Sequence, residues 1–127
     1  HEQEVFHFDF ITMDPVLLAN ACKSFLFADR KERVFFICDL SLKNNCKEGF
    51  AMTSAGLYWR APFDRPRRVL YNDIATVKKE KEWLTLNGHF FTANPTLNLK
   101  LCKLLKKLRG WRPAVVKSEK VRVEVVG

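Results

Sequence analysis

Gly49-Phe50-Ala51-Met52-Thr53-Ser54-Ala55-Gly56-Leu57-Tyr58-Trp59-Arg60 is the stretch whose reading decides the fold. Residues 50–53 and 57–60 are two short runs dominated by apolar side chains, parted by three small residues. Apolar and aromatic side chains suit a pleated surface, and a small-residue break of this length fits a tight reversal. Gly56 is expected to supply the positive φ that a short turn needs. The pattern predicts an antiparallel hairpin. Tyr58 and Trp59, being adjacent, point to opposite faces of it. One of the two is therefore expected outside, and Trp59 beside Arg60 is taken as a partner-contact residue.

The same kind of signal extends in both directions. Upstream, residues 34–42 are rich in Val, Phe and Ile and read as a buried strand, followed by a polar loop over 43–49. Downstream, the loop 61–68 carries Pro62 and Pro66 and cannot be a central strand. Val69-Leu70-Tyr71 resumes extended character, Asn72-Asp73 turns with Asp73 capping it, and 74–79 continues as a strand. Trp83-Leu84-Thr85-Leu86 alternates up to Asn87-Gly88, the pair best suited to a two-residue hairpin, and His89-Phe90-Phe91-Thr92 returns. Local hairpins and the lack of a βαβ pattern exclude a parallel sheet.

Two helices flank these strands. Asp14-Pro15 is an N-cap followed by proline at the first helical position, which opens a helix over 15–27. Leu18, Ala21, Cys22 and Phe25 form its apolar stripe, and Cys22 and Cys38 read as small core residues. Asn94-Pro95 opens a second helix over 95–109, stopped by Gly110. Leu97, Leu101, Leu104, Leu105 and Leu108 make its core-facing stripe, with Lys100, Lys103, Lys106 and Lys107 on the other faces. At the amino end, residues 5–11 alternate, with Val5, His7 and Asp9 on one face and Phe6, Phe8 and Phe10 on the other. This segment is a short strand or an arm laying three rings on a surface. In the tail, Val121, Val123 and Val125 alternate with Arg122 and Glu124, as an added strand or a linker. The division is an arm over 1–13, a domain over 14–110 and a tail over 111–127.

The chain has 127 residues, 47% of them apolar and 28% charged, which is enough for one domain with a real core and excludes a disordered or collagen-like chain. No apolar run approaches the roughly 18 residues of a membrane span, and the first residues do not read as an export signal. Net charge is +8. Residues 1–59 hold six Lys/Arg against eight Asp/Glu, whereas 60–127 hold sixteen against six, so the excess lies in the second half. Such a surface attracts phosphates, anionic lipid or acidic protein, or coats a solvent face with lysine. Cys22, Cys38, Cys46 and Cys102 form no Cys-x-x-Cys pair, and His1, His7 and His89 lie far from any such pair in sequence. No metal or cofactor is expected, and reduced thiols suggest the cytoplasm.

The order of elements resembles the pleckstrin-homology-like (PH-like) superfold, and more closely its bacterial branch. The residues that carry the likeness run from about 34 to 109: the apolar strand ending in Asp39, the hairpin 49–59, Val69-Leu70-Tyr71-Asn72-Asp73-Ile74, the Asn87-Gly88 turn and the last helix. In those domains a Gly-apolar-apolar-apolar-Thr-x-x-Gly-apolar-Tyr hairpin precedes a Tyr-x-Asp-Ile strand. The resemblance implies an α+β fold, an antiparallel meander rolled into an open barrel or sandwich. A C-terminal amphipathic helix closes it and an extra N-terminal helix precedes it. It implies a binding module of a larger bacterial protein rather than an enzyme, with ligands at a loop between early strands or in a groove beside the last helix.

The residues themselves offer two surfaces. Arg60, Arg65, Arg67 and Arg68 cluster around prolines, and Arg65-Pro66-Arg67 is similar to a basic-x-Arg pattern with which some PH-like domains hold inositol phosphates. The competing reading is a solvated loop with Asp64 pairing one arginine. Lys100, Lys103 and Lys107 could track phosphates, with Trp111 and Arg112 beside them for stacking, or simply coat a lid helix. Lys78, Lys79 and Lys81 alternate with Glu80 and Glu82 and read as an exposed strand end. Phe6, Phe8, Phe10, Trp59 and Trp111 are the candidate partner contacts. No Ser-His-Asp or Cys-His spacing, Walker loop or His-Glu-x-x-His is present, and Asp39 and His89 stand alone in the sequence, so no catalysis is expected. The first expectation is a module that docks a protein segment between an edge strand and the last helix. The second is binding of nucleic acid or acidic phospholipid through the basic half.

Overall fold

The computed structural model describes residues 5–111. Val121, Val123, Val125 and Arg112 lie outside that range, so the expectations placed on them do too. The elements are β1 (Val5–His7), α1 (Pro15–Ser24), β2 (Val34–Asp39), β3 (Gly49–Thr53), β4 (Gly56–Arg60), β5 (Arg67–Leu70), a 3-10 turn (Tyr71–Asp73), β6 (Val77–Lys79), β7 (Leu84–Leu86), β8 (His89–Phe91) and α2 (Pro95–Leu108). The fold is α+β. β1 to β5 form one antiparallel sheet in sequence order, and β6 to β8 form a second. The two sheets do not close into a barrel.

Both faces of the five-stranded sheet are covered. Phe50, Met52, Leu57, Trp59 and Val69 face a core shared with Leu84, Leu86 and Phe91 of the second sheet and Leu101, Cys102 and Leu105 of α2. Ile37, Ala51 and Tyr58 face a smaller core with Met13, Ala21, Phe25 and Leu26. A strand buried on both faces needs no polar alternation, which is why β3 is buried throughout. It also corrects the expectation for Trp59. Neither member of the Tyr58–Trp59 pair is outside, and Trp59, 2% exposed, offers nothing to a partner.

The turns follow local chemistry, with one correction. Gly56 does not have a positive φ; it is a strand residue needed for close approach. A Cβ there would run into the Val69 carbonyl oxygen and lie 2.9 Å from Leu70 Cα, so glycine lets β5 pair closely with β4. The reversal is held instead by Thr53, whose hydroxyl accepts from the amides of Ala55 (3.0 Å) and Gly56 (3.2 Å). Asn87 and Gly88 have φ of 51° and 84°, as an Asn-Gly hairpin requires. Asn87 also ties the turn down: its Oδ1 accepts from Ala75 N (2.7 Å) and its Nδ2 donates to Asp73 O (3.0 Å).

α1 starts as expected from its cap, Asp14 Oδ1 accepting from Val16 N at 2.9 Å, but ends at Ser24 instead of 27. Phe25 and Leu26 are both buried in the same small core. Cys22 is exposed, beside the stripe rather than in it. On α2, Asn94 Oδ1 accepts from Leu97 N at 2.8 Å. The buried face is Asn98, Leu101, Cys102 and Leu105, while Leu104 is 40% exposed. Asn98 takes the interior place as a clamp: its Oδ1 accepts from Ala93 N, and its Nδ2 donates to Glu82 O and Thr92 Oγ1.

Candidate functional site

The arginine cluster does not form one phosphate cradle. β5 begins at Arg67, so Arg67 and Arg68 are strand residues, not loop residues, and adjacent strand residues point to opposite faces. Arg67 lies opposite Trp59 and Arg68 opposite Tyr58. Arg67 donates from Nη1 to His89 Nδ1 (3.0 Å) and meets Asp64 Oδ1 from Nη2 (3.5 Å), so it joins the loop to β8. Arg60 donates from Nε to the Asp64 carbonyl (3.0 Å). The Asp64 carboxyl is held below its ordinary range, first by the Arg65 backbone N–H and then by the Arg67 side chain. Arg68 lies on the Tyr58 side, where its charge favours ionisation of the Tyr58 hydroxyl. Arg65 is exposed, and its side chain makes no hydrogen bond among the described residues. The Arg65-Pro66-Arg67 pattern also joins β4 to β5, not the early strands where the resemblance puts a ligand loop.

Tyr58 anchors a second network. Its hydroxyl donates to Glu32, whose Oε1 also accepts from Thr53 Oγ1 (2.6 Å) and whose Oε2 accepts from Asp29 N (2.7 Å). Burial, then the Glu32 carboxylate, pushes the Tyr58 hydroxyl up to about 12. These bonds lock the charged connector 28–33 against the hairpin; they are structural.

Lys100, Lys103, Lys106 and Lys107 are all exposed, and among the described residues the one ion pair is Arg67–Asp64. The α2 ammonium groups therefore carry uncompensated charge. Trp111 is half-exposed and packs on Tyr71, ring centroids 5.7 Å apart.

The three N-terminal rings separate. Phe6 and Phe8 stack on one another and pack, tilted, against Phe36 on the side of the large core. Phe10 packs into the small core, because Asp9 turns the chain: its Oδ1 accepts from Ile11 N and its carbonyl from Met13 N. This early departure has a consequence for the sheet edge. β1 pairs only with residues 37–39 of β2. On one side Val34 and Phe36 pair with β3 across a register shift at Phe35; on the other, no strand lies among the described residues. Beside that bare backbone lies a cleft of about 350 Å³ lined by Phe8, Asp9, Phe10, Ile11, Arg33, Val34 and Phe35. Phe8 (68% exposed), Ile11 (95%) and Phe35 (47%) make its rim apolar. A different groove, of about 290 Å³, lies at the start of α2 between Leu40, Leu42, Pro62, Phe91 and Asn94.

Sequence reasoning placed Phe8 and Phe10 here but missed Ile11, Arg33 and Phe35. No local signal marked them: the alternation over 5–11 is long enough to cover the six residues of β2, and the turn at Asp9 is what ends β1 at His7. It also treated His7, Asp39 and Cys46 as unrelated, although the fold brings them together. No helix among the described residues is long and apolar enough to cross a membrane. Comparison with protein-family models, with curated proteins and with solved structures finds no match.

Proposed function

We propose that the chain is a PH-like interaction module that captures an extended segment of another protein by strand addition along residues 34–36 of β2. The PH-like reading is supported by an antiparallel meander spread over two sheets and ended by an amphipathic helix, with β1 and α1 as additions at the front. The docking reading rests on one observation, the half-covered edge of β2 flanked by exposed Phe8, Ile11 and Phe35. Unpaired strand edges are templates for another strand, and natural proteins blunt them unless they serve pairing. Main-chain bonds would give the affinity, and the apolar cleft would select side chains at alternate positions. Arg33 at the cleft favours a segment that also carries a carboxylate. This reading seats the segment along β2, a different place from the groove between an edge strand and the last helix that the sequence led us to expect.

Selection from a displayed random-peptide library tests this. The expected winners alternate apolar residues and include an acidic one. They slow hydrogen exchange at 34–36, and they bind the Phe8→Ser/Phe35→Ser double variant at least about tenfold more weakly, as loss of two apolar anchors implies. Winners that bind this variant equally well, or that protect a different segment, refute the reading.

A second reading, binding of nucleic acid or acidic phospholipid through the basic half, is favoured by the unpaired lysines of α2. It expects the Lys100→Glu/Lys103→Glu/Lys107→Glu variant to lose retention on single-stranded DNA or on phosphatidylserine vesicles. It also expects wild-type affinity for DNA to fall steeply with salt. No retention of the wild type on either probe at low salt removes it.

A further inference from the structure

We propose that His7, Asp39 and Cys46 form a binding site for a divalent metal ion of the zinc class. One donor atom from each of the three lies within 4.8 Å of the others. They are separated in sequence but converge for stated reasons. His7 pairs with Ile37 and Val5 with Asp39, so His7 and Asp39 are diagonal neighbours on one face of the β1–β2 ladder. The loop after β2 then folds back. Ser41 Oγ accepts from Asn45 N (2.9 Å), and Asn44 and Cys46 adopt left-handed φ of 55° and 60°. This brings Cys46 over the Asp39 carboxylate.

The Asp39 carboxylate is oriented before any ion arrives. Oδ1 accepts from Ser41 N (2.9 Å) and Ser41 Oγ (2.6 Å), while Oδ2 accepts a longer bond, 3.3 Å, from Cys46 N. A carboxylate offers about four acceptor positions, so Oδ2 retains capacity for a metal. Partners of this kind fix a ligand in the manner of an outer coordination shell. On the histidine, Nε2 is buried with no hydrogen-bond partner, a state that native structures rarely leave unexplained. Asp39 and Cys46 are fully buried and His7 is half-buried, so the imidazole marks the side from which an ion enters.

The donor set selects the ion. One nitrogen, one oxygen and one sulfur suit zinc, whereas calcium and magnesium take oxygen alone. Three protein donors leave the fourth position of a tetrahedral ion open. On binding a divalent cation, the Cys46 sulfur–hydrogen bond breaks, the proton leaves to solvent, and the sulfur electron pair forms the bond to the metal.

The full chain, reduced and stripped with chelator, is titrated with Co²⁺ as a spectroscopic stand-in for zinc. The expected result is one Co²⁺ per chain, with a thiolate-to-cobalt charge-transfer band and the visible bands of a tetrahedral ion. The thiolate band is lost in Cys46→Ser, and binding weakens at least about tenfold in His7→Ala, whose half-exposed edge position tolerates truncation. Cys22→Ser, which removes the exposed thiol, leaves both unchanged. A wild-type spectrum like that of aqueous Co²⁺, a thiolate band that survives in Cys46→Ser, or an unchanged Co²⁺ affinity in His7→Ala overturns the assignment. The wild-type measurement decides the matter even if a variant fails to fold.

Discussion

Trp59→Ala is expected to lower the stability of the fold by about 4 kcal/mol, the range found when a buried aromatic is truncated to alanine. Trp59 is the bolt between the two sheets. It stands on β4, packs edge-to-face on Phe91 of β8 with centroids 5.7 Å apart, and donates from Nε1 to the Phe90 carbonyl at 2.8 Å. Truncation leaves a cavity in the larger core and a carbonyl without its donor. Domains of this size have about 5–15 kcal/mol in total, so the loss is a large part of what holds the chain folded. Trp59→Phe separates the two contributions. It keeps a ring against Phe91 but removes the indole donor, and is expected to cost about 1–3 kcal/mol. Urea unfolding followed by circular dichroism reads both. A cost below about 1 kcal/mol for the alanine variant would mean that the sheets are not joined through this side chain.

Gly49→Ala is expected to cost about 3–5 kcal/mol, because backbone strain of about 1–3 kcal/mol adds to a direct collision. Gly49 has φ of 154° at the point where β3 lies between Asp39 of β2 and Arg60 of β4. A Cβ there would run into the Cys38 carbonyl oxygen and come within 3.2 Å of Leu40 N. Both neighbours are backbone, so neither can swing aside, and the central ladder has to open. Gly88→Ala is the matched control. It also has a positive φ, 84°, but nothing lies within 4 Å of its added Cβ. Its cost is the left-handed penalty alone, about 1–2 kcal/mol. Equal losses for the two variants in urea unfolding would show that the approach of β2 to Gly49 is looser than the structure has it.

What was legible in advance follows from how far each signal reaches along the chain. The caps at Asp14 and Asn94, the Asn87-Gly88 reversal and the stop at Gly110 (φ 84°) depend on residues a few positions apart. The reading of the hairpin 49–60 holds for the same reason, although its glycine serves close packing and not the turn. The docking edge was half legible. The alternation over 5–11 marks a strand, but whether Phe8 stays in register depends on Asp9 accepting from Ile11 and Met13. The basic patch was legible as composition and misleading as geometry, since a strand start at Arg67 sends Arg67 and Arg68 to opposite sides.

The amino-acid order alone determined the local reversals, the helix starts and the antiparallel pairing of neighbours, because each is an interaction between residues that the backbone already holds close. Only the tertiary structure decided which faces lose their water. Period-two alternation says that Tyr58 and Trp59 part company, but not that α1 covers one side and the second sheet the other. Helical period says which leucines share a stripe, but not that Asn98 takes a buried place while Leu104 stays in solvent. The meeting of His7, Asp39 and Cys46 belongs to the same class. It is created by strand register and a folded-back loop, and no spacing within the chain encodes it.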